Sequence, residues 1–126
     1  MSILVVDDDS TYRFLIQRAF SKEQMEGLLR TAETGAETRA TFESEPPALV
    51  LLDVNLPDTS GIDLLAWIRE RSRVPVLMHS WSARPDEVAA AYAAGANGYV
   101  EKQASFEKLR SLIRNLQDYW LKQNRS

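Results

Sequence analysis

Five polar side chains stand where short apolar runs of the sequence end, and their chemistry suits the binding of a metal ion. Asp7 and Asp8 follow the first run, Asp53 ends a later one, Ser80 ends the next, and Lys102 follows the last. Carboxylates that crowd together repel one another, so they must take up a proton or bind a cation. Oxygen ligands without His or Cys suit a hard divalent ion, and open coordination positions favour Mg²⁺ over a caged Ca²⁺. These residue types therefore indicate a magnesium site.

A bound metal ion would reverse the sign of this site and let it accept a phosphoryl group. Lys102 would then be a point-charge donor to phosphate oxygens, and Ser80 a hydroxyl donor. An aspartate carboxylate is a recognised nucleophile in phosphoryl transfer, and its product is an acyl phosphate. Asp53 taken alone would be interpreted as a turn residue or a helix cap. Three acids, a hydroxyl and a lysine at four strand ends favour the chemical interpretation.

Strand and helix patterns alternate along the whole chain. Apolar and β-branched runs predict five strands, over residues 3–6, 28–33, 48–53, 75–80 and 98–101. Helical spacing, capping residues and proline or glycine signals predict a helix after each strand, over residues 10–20, 35–44, 60–71, 85–95 and 105–123. Ser10 and Ser105 are the predicted caps of the first and last helices.

Strands that are apolar throughout are typical of a parallel sheet covered by helices on both faces. The pattern therefore predicts an α/β fold, a flavodoxin-like doubly wound five-stranded parallel sheet with strand order 2-1-3-4-5 and five helices. In such a sheet, ligands bind outside the carboxyl ends of the strands, here between strands one and three. The five polar side chains should converge at that edge.

Length and composition limit the class of protein. A chain of 126 residues is predicted to form a single domain over residues 1–126. The net charge of −3 argues against nucleic acid as a direct partner. The absence of cysteine excludes a disulfide framework. No apolar stretch is long enough to span a membrane, and the acidic start is unlike a signal peptide, so a cytoplasmic location is expected.

The sequence resembles the receiver domain of two-component response regulators. The resemblance covers nearly the whole chain and is carried, in order, by ILVVDDD from residue 3, LLDVNLP from residue 51, VPVLMHS from residue 74 and GANGYVEK from residue 95. The ending DYWL is also similar to the tail of the short, single-domain regulators that serve bacterial phytochromes and related sensor kinases. The motifs are weak singly and specific in this order and spacing.

The resemblance implies a role for each matched position. Asp53 would be the phosphoacceptor, with Asp8 as a direct metal ligand and Asp7 acting mainly through a metal-bound water. The backbone carbonyl of Asn55 would complete the protein ligands, and Ser80 and Lys102 would hold the phosphate. The domain would catalyse only its own phosphorylation and dephosphorylation, with a phosphohistidine of a sensor histidine kinase or phosphotransfer protein as donor. It would be a switch rather than a turnover enzyme.

The switch itself has a physical basis. A phosphoryl group adds about −1.5 to −2 charges and three acceptor oxygens, which would draw Ser80 and Lys102 toward the third strand. By resemblance, Tyr99 is the aromatic residue that would turn inward as Ser80 moves, and output would be a protein contact.

Two positions depart from the family pattern. Trp81 follows Ser80 where the family usually has a small residue, so we expect the ring to modify access to the phosphate. Gln103 follows Lys102 where a proline in a cis peptide is usual, and the cost of a non-proline cis bond, about 2.5–4 kcal/mol, favours a trans bond here. His79 is the only histidine, and a sheet position is expected for it rather than a catalytic role.

The last helix is long enough to extend beyond the sheet. Its apolar residues continue into this extension, which makes the C-terminal helix either an ordinary core helix end or a docking face for a second copy. A homodimer through this helix is therefore a candidate assembly.

Other functions stay open at this point. A receiver-like domain that acts without phosphorylation would keep the same acids. The stretch DDDST also fits the opening of haloacid-dehalogenase-like phosphatases, with Asp7 as nucleophile and Asp9 as acid/base, but Asp53 is then unexplained. A flavodoxin-like FMN carrier would need Ser, Thr or Gly donors after the first strand, where this chain has three acids.

Overall fold

The computed structural model describes residues 2–121, and only the backbone of residues 119–121. Strands and helices alternate along it. The strands are β1 (Ile3–Val6), β2 (Leu29–Ala32), β3 (Leu49–Asp53), β4 (Val76–Ser80) and β5 (Gly98–Glu101). The helices are α1 (Ser10–Lys22), α2 (Gly35–Ser44), α3 (Gly61–Arg69), α4 (Pro85–Ala93) and α5 (Phe106–Asn115), with a 3₁₀ turn at Glu26–Leu28 and a π-helix at Leu116–Leu121.

The five strands form one parallel sheet in the order β2-β1-β3-β4-β5. The predicted flavodoxin-like fold and its strand order are confirmed. β1 and β3 are neighbours at the centre, with Val6 level with Leu52. Their carboxyl ends are therefore adjacent at one edge of the sheet, the position at which doubly wound folds bind ligands.

Alternate side chains of the central strands bury two separate core layers. On one face of the sheet, Ile3, Val5 and Leu51 pack with residues of α1 and α5, such as Ile16 and Ile113. On the other face, the intervening strand residues, such as Leu4, Val6 and Leu52, pack against α2, α3 and α4. The central strands β1, β3 and β4 are buried on both faces, as their apolar sequences predicted.

The helix boundaries differ from the predicted ones at several ends. Asp9, not Ser10, caps α1, since its Oδ1 accepts from Thr11 N and Tyr12 N. Ser105 caps α5 as predicted, accepting from Lys108 N. Helix α3 ends at Arg69 rather than near Arg71.

The last predicted helix is α-helical only to Asn115, and a π-helix follows it to Leu121. The predicted end at residue 123 lies outside the described residues. The assignment of residues 1–126 to one domain stays a prediction. No helix among the residues that the structure describes is both long and apolar enough to cross a membrane.

Candidate functional site

The parallel sheet brings the predicted site residues to one edge. Asp7 directly follows β1, Asp53 is the last residue of β3, Ser80 is the last residue of β4, and Lys102 directly follows β5. Asp8 follows Asp7 in the loop to α1. All of these positions lie at carboxyl ends of strands that pair in register, as the sequence predicted.

The Lys102 ammonium lies between two buried carboxylates. Its Nζ donates a hydrogen bond to Asp53 Oδ2 at 2.9 Å. It also lies 2.8 Å from Asp7 Oδ2, without the geometry of a hydrogen bond, so this second contact is an ion pair. The side chains of Lys102 and Asp7 are only 4% and 1% exposed. Such a buried cation is stable only because two charges of opposite sign accompany it.

The three acids are arranged as a metal-binding group. Carboxylate oxygens of Asp7, Asp8 and Asp53 all lie within 4.8 Å of one another, and Asp8 is exposed to solvent. Asp7 Oδ1 accepts from Asp9 N at 2.9 Å, whereas Asp7 Oδ2 has no hydrogen-bond donor among the described residues. Asp7 Oδ2 is paired only with the Lys102 ammonium, and a cluster of three carboxylates with one exposed member fits a hard divalent cation that keeps water ligands.

Asn55 lies in the loop after β3, close to Asp53. Its backbone N–H donates to Asp53 Oδ1 at 3.0 Å, and the residue pairs with Ser60 across the loop. Each oxygen of the Asp53 carboxylate thus has one donor: Asn55 N–H on Oδ1 and Lys102 on Oδ2. These two donors fix the orientation of the carboxylate.

The charges of the site shift the pKa values of its members. Burial raises the pKa of Asp53, and the Asp7 carboxylate acts in the same direction, against the opposing effect of the Asn55 N–H and Lys102. Burial alone would lower the pKa of Lys102, but the carboxylates of Asp7 and Asp53 outweigh it and raise that pKa. Lys102 is therefore a permanent cation, while Asp53 would be stabilised in its ionised form by additional positive charge.

Ser80 and Tyr99 are linked through the loop that follows β4. Ser80 Oγ accepts from Ser82 N at 3.1 Å, and the Tyr99 hydroxyl donates to Ser82 O at 2.7 Å. The Tyr99 hydroxyl also lies 3.4 Å from a carboxylate oxygen of Glu87 on α4. A displacement of Ser80 would therefore move the backbone segment that holds Tyr99.

Two aromatic side chains lie close to the Lys102 ammonium. Trp81 is 56% exposed and packs edge-on against Tyr12, with ring centroids 5.3 Å apart. Lys102 Nζ lies 5.0 Å from the Tyr12 ring and 5.8 Å from the Trp81 ring. The sequence pattern placed Tyr12 on the buried face of α1 but gave no signal that it contacts the site, because that contact depends on how α1 packs against β4.

Tyr12 also joins the loop after Lys102 to the end of β4. Its hydroxyl accepts from Gln103 N at 3.1 Å and lies 3.2 Å from Nε2 of His79, which is buried. The Lys102–Gln103 peptide is trans, as predicted. His79 occupies a buried sheet position, as predicted, with the Tyr12 hydroxyl as its partner.

Arg13 is a second residue near the site that the sequence pattern missed. Its Nη1 donates to the backbone oxygen of Asp7 at 2.7 Å, and its Nη2 pairs with Glu33 after β2. The guanidinium thus holds the loop that carries Asp7 and Asp8. An arginine on the first turn of a helix carries no sequence signal that specifies such a long-range contact.

The chain is similar to known proteins of one family. A family model described as the response regulator receiver domain matches residues 3–114. The chain is 32% identical to the probable methanogenesis regulatory protein FilR2 of Methanothrix harundinacea, covering 98% of this chain and 86% of FilR2.

Two solved structures are also similar. The phosphorylated cyanobacterial phytochrome response regulator RcpA has a TM-score of 0.87 and 28% identity, covering 98% of this chain and 96% of RcpA. The Mn²⁺-bound form of the response regulator Rcp1 has a TM-score of 0.82 and 27% identity, covering 96% of this chain and 94% of Rcp1.

Proposed function

Because the chain belongs to the response regulator receiver domain family and is thus a phosphorylation-dependent signalling switch, we propose that Asp53 is its phosphoacceptor. The observation that carries the proposal is the pair of donors on the Asp53 carboxylate. Lys102 and the Asn55 N–H hold the two oxygens in place at the carboxyl edge of the sheet. At this edge, Asp7 and Asp8 after β1 lie close to Asp53 at the end of β3.

We propose that Mg²⁺ binds at the acid group, which consists of Asp7, Asp8 and Asp53. We also propose that a phosphohistidine of a sensor histidine kinase or phosphotransfer protein supplies the phosphoryl group. Receiver domains interact with proteins of this kind. Asp8, Asp53 and the backbone carbonyl of Asn55 would hold the ion, with Asp7 acting mainly through a metal-bound water. The ion would supply positive charge at the phosphoryl oxygens and at the attacking carboxylate.

The chemical step would use the residues of this chain as follows. A carboxylate oxygen of Asp53 attacks phosphorus, the P–N bond to the donor imidazole breaks, and the imidazole leaves with the electron pair. Lys102 then exchanges its contact with Asp53 for one with a phosphoryl oxygen, and the Ser80 hydroxyl donates to another. The protein would catalyse only this reaction and the later hydrolysis of its own acyl phosphate.

The proposed output follows from the contacts of Tyr99. As Ser80 moves toward the phosphoryl group, its hydrogen bond with Ser82 must break or carry Ser82 along, and Ser82 O is the acceptor for Tyr99. The surface of α4, β5 and α5 would change with it and meet a protein partner. A second copy of the chain, docked through the C-terminal helix, is one such partner that we propose.

Trp81 is proposed to modify access to the phosphoacceptor. Its exposed ring stands beside Lys102 and is fixed against Tyr12. A ring at this place would limit the approach of both phosphodonors and the water that hydrolyses the acyl phosphate.

The phosphatase alternative loses support from the position of Asp9. That reading requires Asp9 as a free acid/base, but its carboxylate caps α1 and does not join the acid group of Asp7, Asp8 and Asp53. It also leaves the buried contact between Asp53 and Lys102 without a role.

Intact-mass measurement tests the proposed function. After incubation with Mg²⁺ and a small-molecule phosphodonor, the parent chain should gain one base-labile phosphoryl adduct, and Asp53→Asn should gain none. Peptide mapping of the parent's adduct separates the two hypotheses, because only the phosphatase hypothesis places the adduct on Asp7 rather than on Asp53. An unchanged adduct on Asp53→Asn would refute the assignment. No adduct on the parent with either a small phosphodonor or a phosphorylated histidine kinase would favour a receiver-like domain that acts without phosphorylation.

A further inference from the structure

The loop between β3 and α3 is tied to the start of α2 by one carboxylate. Asp58 Oδ1 accepts from Gly35 N at 2.8 Å, and Asp58 Oδ2 accepts from Ala36 N at 3.0 Å. These are amides of the first helical turn, which have no partner within the helix and lie at its positive end. The hydrogen bond from Gly35 leads the effects that lower the pKa of Asp58, so the tie is made by an ionised carboxylate.

Helix α2 does not depend on Asp58 for its own cap. Thr34 Oγ1 accepts from Glu37 N at 3.1 Å, and Thr34 O accepts from Thr38 N at 3.1 Å. The helix therefore begins with a local cap formed by Thr34. Because Asp58 is 23 positions away in sequence from Gly35, its contact adds a connection between two loops.

Side chains of the loop tip also lie close to the backbone of Gly35. A Cβ atom on Gly35 would lie 2.7 Å from Thr59 Cγ2 and 3.3 Å from Asp58 Oδ1. Gly35 lies in the first turn of α2, so a side chain there would have to displace the side chains of the loop tip rather than strain the backbone. The tip of the loop thus packs directly on the first residue of α2.

The same loop carries the proposed metal ligand Asn55. Its base is fixed next to Asp53, since Gly61 N donates to Val54 O at 2.6 Å. Between base and tip, Leu56 N donates to Thr59 O at 3.2 Å, and Asn55 pairs with Ser60. The loop is therefore a short closed unit with its tip held by Asp58.

We propose that Asp58 is a positioning residue for the metal site: by holding the loop tip on α2, it fixes the backbone carbonyl of Asn55 for the divalent ion. The inference rests on the proposed function, which makes Asn55 a metal ligand. Groups that orient metal ligands from outside the ligand set typically contribute about 10–100-fold to metal affinity. Asp58 would act on Asn55 through the backbone of the loop, so we expect an effect at the lower end of this range.

Direct titration with Mn²⁺ alone, followed by the electron paramagnetic resonance signal of the free ion, tests the proposal. Asp58→Asn removes the charge and one acceptor, and Gly35→Ala displaces the loop tip without changing any charge. Both should weaken Mn²⁺ binding about tenfold. At about 0.5 M salt, the Debye length is about 4 Å, so a long-range effect of the lost charge is screened.

Thr34→Ala is the matched control, because it removes a cap of the same helix and leaves the loop contact in place. It should lower the melting temperature and leave Mn²⁺ affinity within about twofold of the parent. Parent affinity in both Asp58→Asn and Gly35→Ala would overturn the proposal and make Asp58 a helix cap only. Weakening in Asp58→Asn but not in Gly35→Ala, or equal weakening in Thr34→Ala, would overturn it as well.

Asp8→Asn separates this proposal from the metal site on which it depends. Loss of Mn²⁺ binding in Asp8→Asn shows that the titration reports the acid group. If the parent fails to bind Mn²⁺, or Asp8→Asn binds it like the parent, the proposed metal site fails, whatever the result with Asp58→Asn.

Discussion

Lys102 shows how a single residue makes this acid group compatible with folding. Asp7 and Asp53 are both almost fully buried, and two unpaired carboxylates in such a place would cost several kcal/mol. The Lys102 ammonium contacts both, at 2.8 and 2.9 Å. In the proposed reaction, the Lys102 ammonium would donate to an oxygen of the phosphoryl group on Asp53. The same side chain would therefore stabilise the unphosphorylated fold and bind the phosphoryl group.

His79 gives a residue-level prediction about pH. Burial, with Lys102 acting in the same direction, lowers the pKa of His79 from 6.5 to about 3. Below pH 6.5 the unfolded chain therefore binds a proton that the folded chain does not, so the unfolding free energy must fall as pH falls and rise as pH rises. Between pH 8 and pH 5 this single group should remove about 2 kcal/mol of stability.

Urea unfolding of the parent and of His79→Gln across that pH range measures this effect. The variant keeps a hydrogen-bonding side chain beside the Tyr12 hydroxyl and has no group that titrates like histidine. The carboxylates are the same in both proteins, and His79 is the only histidine. A difference between the two slopes of unfolding free energy against pH is therefore due to His79. Parallel curves for the two proteins would contradict the buried neutral state of His79.

Among the elements, Arg69 at the end of α3 fixes the connection between α4 and β5. Its Nε donates to Gly95 O, its Nη1 to Val74 O, and its Nη2 to Asn97 Oδ1, at 2.9, 2.7 and 2.7 Å. Asn97 Oδ1 also accepts from Val76 N, the first amide of β4. The guanidinium thus ties the C-terminus of α3 to the beginnings of two strands.

Arg69→Met should therefore lower the unfolding free energy by about 2–4 kcal/mol, because hydrogen bonds from a charged donor are worth about 1.5–3 kcal/mol each and the substitution leaves acceptors unpaired. Chemical denaturation measures this. Arg71→Met is the matched control: Arg71 donates to Trp67 O and stacks 3.9 Å from the Trp67 ring on an exposed surface, so its loss should cost less than about 1 kcal/mol. An equal decrease in unfolding free energy in both variants would contradict a larger contribution of the Arg69 hydrogen bonds to stability.

The strands and helices could be predicted from the sequence more readily than long-range contacts such as those of Arg69. Strand positions and their polar ends were predictable because a buried strand needs an unbroken apolar run, and any polar residue that ends it marks the sheet edge. Asp9 was missed as the cap of α1 because Ser10 is an equally good capping residue, and only backbone geometry decides between adjacent candidates. Arg69, Arg13 and Asp58 act across loops distant in sequence, and no local spacing encodes such contacts.

On the scale of the whole molecule, the proposed metal ion joins the two central strands of the sheet. Asp7 and Asp8 follow β1, and Asp53 ends β3, so the acid group belongs to strands whose side chains fill both core layers. Because Asp7 directly follows β1 and Asp53 ends β3, separation of Asp7 from Asp53 would require separation of the two strands. Metal binding should therefore stabilise the fold against global unfolding rather than only against local opening of a loop.

Mg²⁺ at ten times its dissociation constant should raise the unfolding free energy by about 1.4 kcal/mol, because the ion binds the folded chain and not the unfolded one. Urea denaturation with and without Mg²⁺ at constant ionic strength measures the change. Asp8→Asn should lose this stabilisation. Asp9→Asn makes the same change in charge one residue away but keeps the cap of α1, since asparagine caps as well as aspartate, and should retain it. Equal Mg²⁺ responses in the two variants would mean that the ion acts through overall charge and would contradict a site built on β1 and β3.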